Sequence, residues 1–198
     1  MMSTTRLLAT ALLTGCAAPL VPEAVTGFLP TDLLDQLSSE MDIFEGDSPP
    51  DLQLTRQEGY YFADDLVITR NDNGSTGDTY DLLFWFPEVT ADGSATLTHY
   101  RGEDEPEDSY AAYISGSDGC FSVFYDTVGQ RETCTYSRPI VYSACVTDTG
   151  DLSGFQYGAI MAGRWGESCE SIVETGSMVL GELQDSDVTL TLFDNGGR

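Results

Sequence analysis

The sequence predicts an all-β domain, either an antiparallel barrel or a sandwich, with one short helix ahead of it. Short segments in which apolar and polar residues alternate follow one another from residue 64 to residue 194, as half-buried strands do. Clusters of Gly, Asp and Asn, typical of turns, separate these segments. No long helical pattern interrupts the series, which argues against a parallel α/β fold.

The candidate strands are 64–70, 79–89, 94–101, 109–116, 120–126, 140–147, 154–163, 171–180 and 187–194. Between the strands that contain Cys120 and Cys145, we expect residues 128–139 to form an excursion from the sheet. Ahead of the strands, TDLLDQLSSEM (31–41) predicts a short helix, with Thr31 as a cap at its positive end. Its apolar residues share one face at helical spacing, and we expect that face to pack on the domain.

The start of the chain has the form of an export signal. One basic residue precedes LLATALLTG, a run too short to span a bilayer, which needs about 20 apolar residues, but long enough for a signal-peptide core. LTGC (13–16) resembles the lipobox of bacterial lipoproteins, in which the cysteine receives a diacylglycerol and the peptide is cut just before it. The resemblance implies a lipoprotein signal peptide over 1–15 and a Cys16 carrying fatty-acyl chains such as palmitate.

The same resemblance predicts a location and a partner. Acyl chains on Cys16 would anchor the protein to a membrane of the bacterial cell envelope, because two or three chains attach a protein stably. In many lipoproteins an Asp just after the cysteine retains the protein in the inner membrane, and Ala17 therefore favours the outer membrane. We expect residues 16–30 to form a lipidated tether and 31–198 a single domain. The alternative is an ordinary signal peptide with an incidental cysteine.

Composition narrows the classes of partner. The formal charge is −25 and the pI is near 4.1, with 33 acidic residues against eight arginines and no lysine. Nucleic-acid binding is excluded on these grounds, because phosphate recognition depends on neutralisation by Lys and Arg. The acid excess favours solubility, with binding of divalent cations as the alternative.

Four further cysteines predict two disulfides, as expected for an even number in an exported chain. Their wide spacing argues against a zinc site, which usually has close cysteine pairs. Three connectivities are possible. Antiparallel pairing of 120–126 with 140–146 favours Cys120–Cys145, which leaves Cys134, on the excursion, to reach Cys169.

PTDLLDQLSSEMDIFEGDSPPDL (30–52) resembles the start of a group of uncharacterised bacterial lipoproteins, in which a P-x-D-L-L helix leads to M-x-I-x-x-G-x-x-P-P and a β-domain. AYISGSDGCFSVFYD and GFQYGAIMAG resemble later strands of that group. The segment LQLTRQE before Gly59 departs from the pattern. The resemblance implies a lipocalin-like barrel and an envelope location, and it implies no activity.

Residues suited to catalysis or metal binding are few. The single histidine, His99, shares a strand face with Ala95 and Leu97, where packing is the usual role. There is no nucleophile elbow and no phosphate loop, so we predict no catalytic residue and no cofactor. RNDNGSTGD lacks the distal Glu of a calcium loop, and we assign no metal ligand. A carboxylate-based hydrolase remains an alternative, since paired acids can act on glycosides.

Aromatic residues on the predicted strands are the remaining candidates for a functional site. Core packing explains many of them, but a barrel lined with tyrosines would suit a small apolar ligand. The candidate ligand-binding residues are Tyr60, Phe84, Phe86, Tyr113, Tyr125 and Tyr157. We therefore expect a binding protein without catalysis, whose partner is a small apolar ligand or an envelope protein. A structural or interaction lipoprotein with a filled core is the alternative.

Overall fold

A computed structural model of the chain describes residues 23–55, 57–100, 108–183 and 187–192. The predicted signal peptide, Cys16 and most of the acidic segment 102–108 lie outside the described residues. Among the described residues, no helix is long and apolar enough to cross a bilayer.

The described residues form two α-helices, one 3-10 turn and ten strands. The helices are α1 (Glu23–Thr26) and α2 (Thr31–Ser38), and the 3-10 turn is Cys169–Ser171. The strands are β1 (Gly59–Asn71), β2 (Thr79–Val89), β3 (Ser94–Tyr100), β4 (Asp108–Ser117), β5 (Cys120–Arg131), β6 (Cys134–Val146), β7 (Leu152–Ile160), β8 (Gly163–Gly166), β9 (Met178–Glu182) and β10 (Thr189–Leu192).

Eight of the described strands close into an antiparallel barrel. Strands β1 to β7 pair in chain order, β9 follows β7, and β9 returns to pair with β1. Strand β8 extends the sheet beside β6, and β10 pairs with the first half of β1. The all-β class is confirmed, and the barrel is the correct alternative of the two.

Strand β1 has two partners on the same side because it bends at a bulge. Residues 59–62 pair with β10 and residues 67–71 pair with β9. Between them the register against β2 shifts from Ala63 to Leu66, and Asp65 adopts a φ of 55°. The bulge adds local twist, which suits the curvature that a closed barrel requires.

Helix α2 packs on the outside of the barrel through its apolar face, as predicted. Leu33, Leu34 and Leu37 are buried in a cluster with Phe124 and Val141. The approach is close at Gly158, where an added Cβ would meet the sulfur of Met41 and come within 3.2 Å of Leu37 Cδ2. A side chain at that position would therefore push the helix away from the barrel.

Three local predictions are wrong. The helix begins at Thr31 with Pro30 as its N-cap, so Thr31 does not cap it, and the helix ends at Ser38. The expected tether 16–30 does not extend as far as residue 30, because α1 and the residues after it pack on the barrel and Val25 and Leu29 are fully buried. Burial of their apolar side chains fixes this segment to the barrel.

The expected excursion at 128–139 is instead the end of a long hairpin. Strands β5 and β6 stay paired from Cys120 opposite Cys145 to Arg131 opposite Cys134. The predicted strand 171–180 is also displaced, since only Met178–Glu182 forms β9.

Candidate functional site

An aromatic stack fills part of the barrel interior. The ring of Phe84 on β2 lies 5.5 Å from that of Tyr142 on β6 and 5.8 Å from that of Phe155 on β7. Strand β2 is not a neighbour of β6 or β7 in the sheet, so these contacts cross the lumen. Side chains therefore close this part of the barrel, as they do in other small barrels.

The stack continues around the wall through polar rings. Tyr125 and Tyr142 share a hydrogen bond between their hydroxyls at 2.6 Å, with both rings buried. Tyr110 lies 5.1 Å from the ring of Tyr125 and 5.1 Å from that of His99. His99 is therefore a packed residue of the interior, which agrees with its predicted position on an apolar strand face.

A cavity of about 590 Å³ occupies the adjoining part of the barrel. Its wall is built from β1, β2, β6, β7 and β9, and Tyr142 belongs both to this wall and to the aromatic stack. The lining residues are Leu66, Ile68, Asn71, Thr79, Tyr80, Asp81, Leu82, Arg138, Tyr142, Tyr157 and Val179. The volume falls within the range of about 300–1,000 Å³ that small-molecule sites occupy.

The cavity wall has an apolar and aromatic part and a more polar part. Leu66, Ile68, Leu82 and Val179 supply apolar surface, and the rings of Tyr142 and Tyr157, 5.9 Å apart, add aromatic surface. The more polar and exposed residues Thr79, Tyr80 and Asp81 belong to one strand, β2, and mark an opening to solvent. Such a wall favours an apolar molecule that enters from one side.

Arg138 supplies the positive charge of the cavity wall. On β6 it is two residues before Ile140 and four before Tyr142, so the period of two places all three on the inner face. Its Nε is buried and has no hydrogen-bond partner among the described residues. No carboxylate in the described part of the chain lies within 4.0 Å of its guanidinium nitrogens.

Three carboxylates gather beside the opening, on the bulge of β1. Oxygens of Asp64, Asp65 and Asp81 lie within 4.8 Å of one another, and all three residues are exposed. Asp81 accepts a hydrogen bond from the Asp65 backbone N–H at 3.2 Å. Partial loss of hydration, and then the charges of Asp65 and Asp81, raise the pKa of the Asp64 carboxyl. This exposed cluster is a common surface arrangement and defines no site by itself.

The candidate ligand-binding residues occupy four different places. Tyr157 lines the cavity. Phe84, Phe86 and Tyr125 are buried in the interior core beside it. Tyr60 packs against that core from a half-buried position, while Tyr113 packs against the cluster under α2, on the opposite face of the sheet.

Two lining residues with distinctive chemistry were missed from the sequence. Tyr142 and Arg138 face the cavity, and only the alternation from Tyr142 back to Arg138 could have indicated it. That alternation extends into residues 128–139, which the sequence predicted to leave the sheet.

Both predicted disulfides are confirmed. Cys120 and Cys145 are joined across the β5–β6 ladder, where they are directly opposite each other. Cys134, at the start of β6, is joined to Cys169 in the 3-10 turn after β8. The second bridge ties the far end of the long hairpin to the loop that precedes β9.

Comparison of the chain with protein-family models, with curated proteins and with solved structures found no match.

Proposed function

We propose that this domain binds a small apolar molecule inside the barrel and acts by binding, without catalysis. The observation that carries the proposal is the cavity of about 590 Å³ with its apolar and aromatic wall. Ligand sites are typically concave, mostly apolar and equipped with a few polar groups, and this wall has that composition.

The two alternatives fit the geometry less well. A scaffold with a filled core would use the whole interior for packing, whereas the aromatic stack here leaves a cavity beside it. A glycosidase-type hydrolase needs two carboxyls about 5–10 Å apart across a cleft. Of the described residues that line the cavity, Asp81 alone has a carboxylate, and that group faces the bulge of β1.

Filling the cavity tests the proposal. The neutral fluorescent probe N-phenyl-1-naphthylamine should bind the protein with a stoichiometry of one, measured by fluorescence titration. Val179→Trp places a large ring in the cavity and should weaken the binding by about tenfold or more, equivalent to about 1.4 kcal/mol. Val128→Trp, at an exposed position outside the barrel, is the matched control and should bind as the wild type does.

A second variant keeps the test informative if Val179→Trp does not fold. Thr79→Trp narrows the opening from an exposed position and should slow entry of the probe without disturbing the core. Thermal unfolding reports whether each variant is folded. Wild-type affinity in a folded Val179→Trp protein would exclude the cavity as the binding site.

We also propose that the barrel is a lipid-anchored protein of the bacterial cell envelope, with the outer membrane as its location and Cys16 as the acylated residue. LTGC (13–16) after a short apolar run supports this proposal. The seven residues from Cys16 to Glu23, where α1 begins, span at most about 25 Å. Helix α1, and with it the side of the barrel on which it packs, would thus stay near the membrane surface.

Replacing the acylated residue tests the anchor. Cys16→Ser removes the thiol that would carry the lipid, so the protein should leave the membrane fraction and appear in the soluble fraction of the envelope. Fractionation followed by immunoblotting measures the change. Cys134→Ser, which breaks a disulfide and leaves the signal intact, is the control. Membrane association of Cys16→Ser at the wild-type level would contradict the lipoprotein proposal.

A further inference from the structure

Arg138 is placed unlike the other arginines of the described residues. Arg70 pairs with Glu40 and Asp72 on the surface, Arg131 is exposed at a hairpin end, and Arg164 donates to two backbone carbonyls. Arg138 alone among them lines the cavity, and no carboxylate of the described residues pairs with it.

Arg138 is half-buried and its Nε is shielded from water, so its guanidinium has lost part of its hydration. A charged group removed from water loses hydration, and an ion pair with good hydrogen bonds is the usual compensation. Asp81, which also lines the cavity, uses its carboxylate to accept a hydrogen bond from the Asp65 backbone beside the bulge, and it forms no ion pair with Arg138. A chain with a net charge of −25 has an ample supply of carboxylates, yet none in its described part forms an ion pair with the Arg138 guanidinium.

We propose that the ligand of this cavity is an anionic amphiphile, an apolar chain with one acid group, and that Arg138 binds the acid group. The inference rests on the proposed binding function and adds the chemical class of the ligand. The guanidinium forms two parallel hydrogen bonds with a carboxylate, and its weak hydration favours ion pairs away from water. The apolar residues of the wall, Leu82 and Val179 among them, would contact the chain.

The negative field of the protein makes this pairing selective. With a charge of −25, the surface repels anions in general, so an anion gains affinity only where a positive group is specifically presented. The exposed acids at the opening, Asp64, Asp65 and Asp81, would also disfavour an orientation with the acid group outermost. We therefore expect the acid group to lie at Arg138 and the chain to extend along the apolar wall.

A pair of ligands that differ only in the head group tests the proposal. Dodecanoate and dodecan-1-ol are titrated against bound N-phenyl-1-naphthylamine, below their aggregation limits and at a pH well above the carboxyl pKa. Wild-type protein should prefer dodecanoate by about 10- to 100-fold, the range expected for hydrogen bonds to charged groups. Arg138→Met should lose this preference and keep its affinity for dodecan-1-ol and for the probe.

Two further variants distinguish hydrogen bonding by the Arg138 guanidinium from a general effect of positive charge on the protein. Arg138→Lys keeps the charge without the planar fork and should retain part of the preference. Arg131→Met removes one charge from an exposed position and should keep the whole preference.

The possible failures are distinguishable. If N-phenyl-1-naphthylamine does not bind the wild type, the proposed function fails and this inference fails with it. If the probe binds in the cavity but dodecanoate shows no advantage over dodecan-1-ol, only the anionic ligand class is wrong. Equal dodecanoate affinity in the wild type and a folded Arg138→Met protein would likewise overturn the role of Arg138.

Discussion

Buried tyrosine hydroxyls form hydrogen bonds inside this barrel. The hydroxyls of Tyr125 and Tyr142 form a buried hydrogen bond, and Tyr142 also contacts Phe84 across the lumen and Phe155 on the neighbouring strand β7. Burial raises the pKa of Tyr61 to about 12, with the charge of Asp51 adding to the effect, so this phenol stays neutral. Neutral phenols can keep their hydrogen bonds in an apolar interior.

The tyrosine pair gives a prediction at this scale. Tyr125→Phe and Tyr142→Phe should each lower the free energy of unfolding by about 1–3 kcal/mol, because each leaves one buried hydroxyl without this partner. The double variant should lose less than the sum, since it removes both hydroxyls together. Urea unfolding of the four proteins measures the cycle.

An exposed tyrosine is the control for this cycle. Tyr80→Phe, at a position more than half exposed, should change the free energy of unfolding by less than about 0.5 kcal/mol. Strict additivity of the Tyr125 and Tyr142 substitutions would show that the two hydroxyls do not depend on each other.

Individual strands differ in how well the sequence predicts them. Strand β2 was predicted with its observed limits, 79–89, because turn residues flank it on both sides. The extension of β6 was missed, and Pro139, a residue usually excluded from central strands, lies within it. In the structure Pro139 falls between two partners of β6, since β8 pairs as far as Ser137 and β7 begins at Ile140. Its missing N–H therefore interrupts neither ladder.

The disulfides give the prediction at the scale of elements. They close loops of 25 and 35 residues, and loop-closure entropy predicts stabilisation of about 3.5 and about 3.8 kcal/mol. Replacing either pair by serines, in Cys120→Ser/Cys145→Ser and in Cys134→Ser/Cys169→Ser, should lower the free energy of unfolding by about those amounts. Urea unfolding compares the two variants with the oxidised wild type.

A loss below about 1 kcal/mol in both variants would contradict the entropic account, because the predicted values are several times larger. Mass mapping of peptides from the unreduced protein provides an independent check. Any pairing other than Cys120–Cys145 and Cys134–Cys169 would contradict the register of β5 against β6.

At the scale of the whole molecule, barrel closure depends on contacts that local sequence patterns do not encode. The alternation of apolar and polar residues predicted individual strands, which are compatible with a sandwich or with a barrel. Barrel closure instead depends on the pairing of β9 with β1, which joins residues more than 100 positions apart, such as Asn71 and Val179. The cavity depends on the volume left when all strands have packed. The alternating pattern therefore indicated that aromatic residues face the interior. It did not indicate that Phe84 packs in the aromatic stack whereas Tyr157 lines the cavity.

The net charge of −25 is a property of the whole molecule. The excess of acidic residues follows from the composition of the chain alone. The cavity wall of this acidic protein nevertheless includes Arg138. Because a polyanionic exterior repels anions in general, the acid ligand proposed above would gain affinity only where Arg138 presents a positive charge. The binding proposal and the ligand class are therefore tested together by locating the bound molecule.

A crystal structure of the protein with dodecanoate is the measurement that tests the central claim most directly. The account predicts one molecule inside the barrel, with its chain against Tyr142 and Tyr157 and its carboxylate within about 3 Å of the Arg138 guanidinium. Density for dodecanoate only on the outer surface, with the lumen closed by side chains, would contradict it.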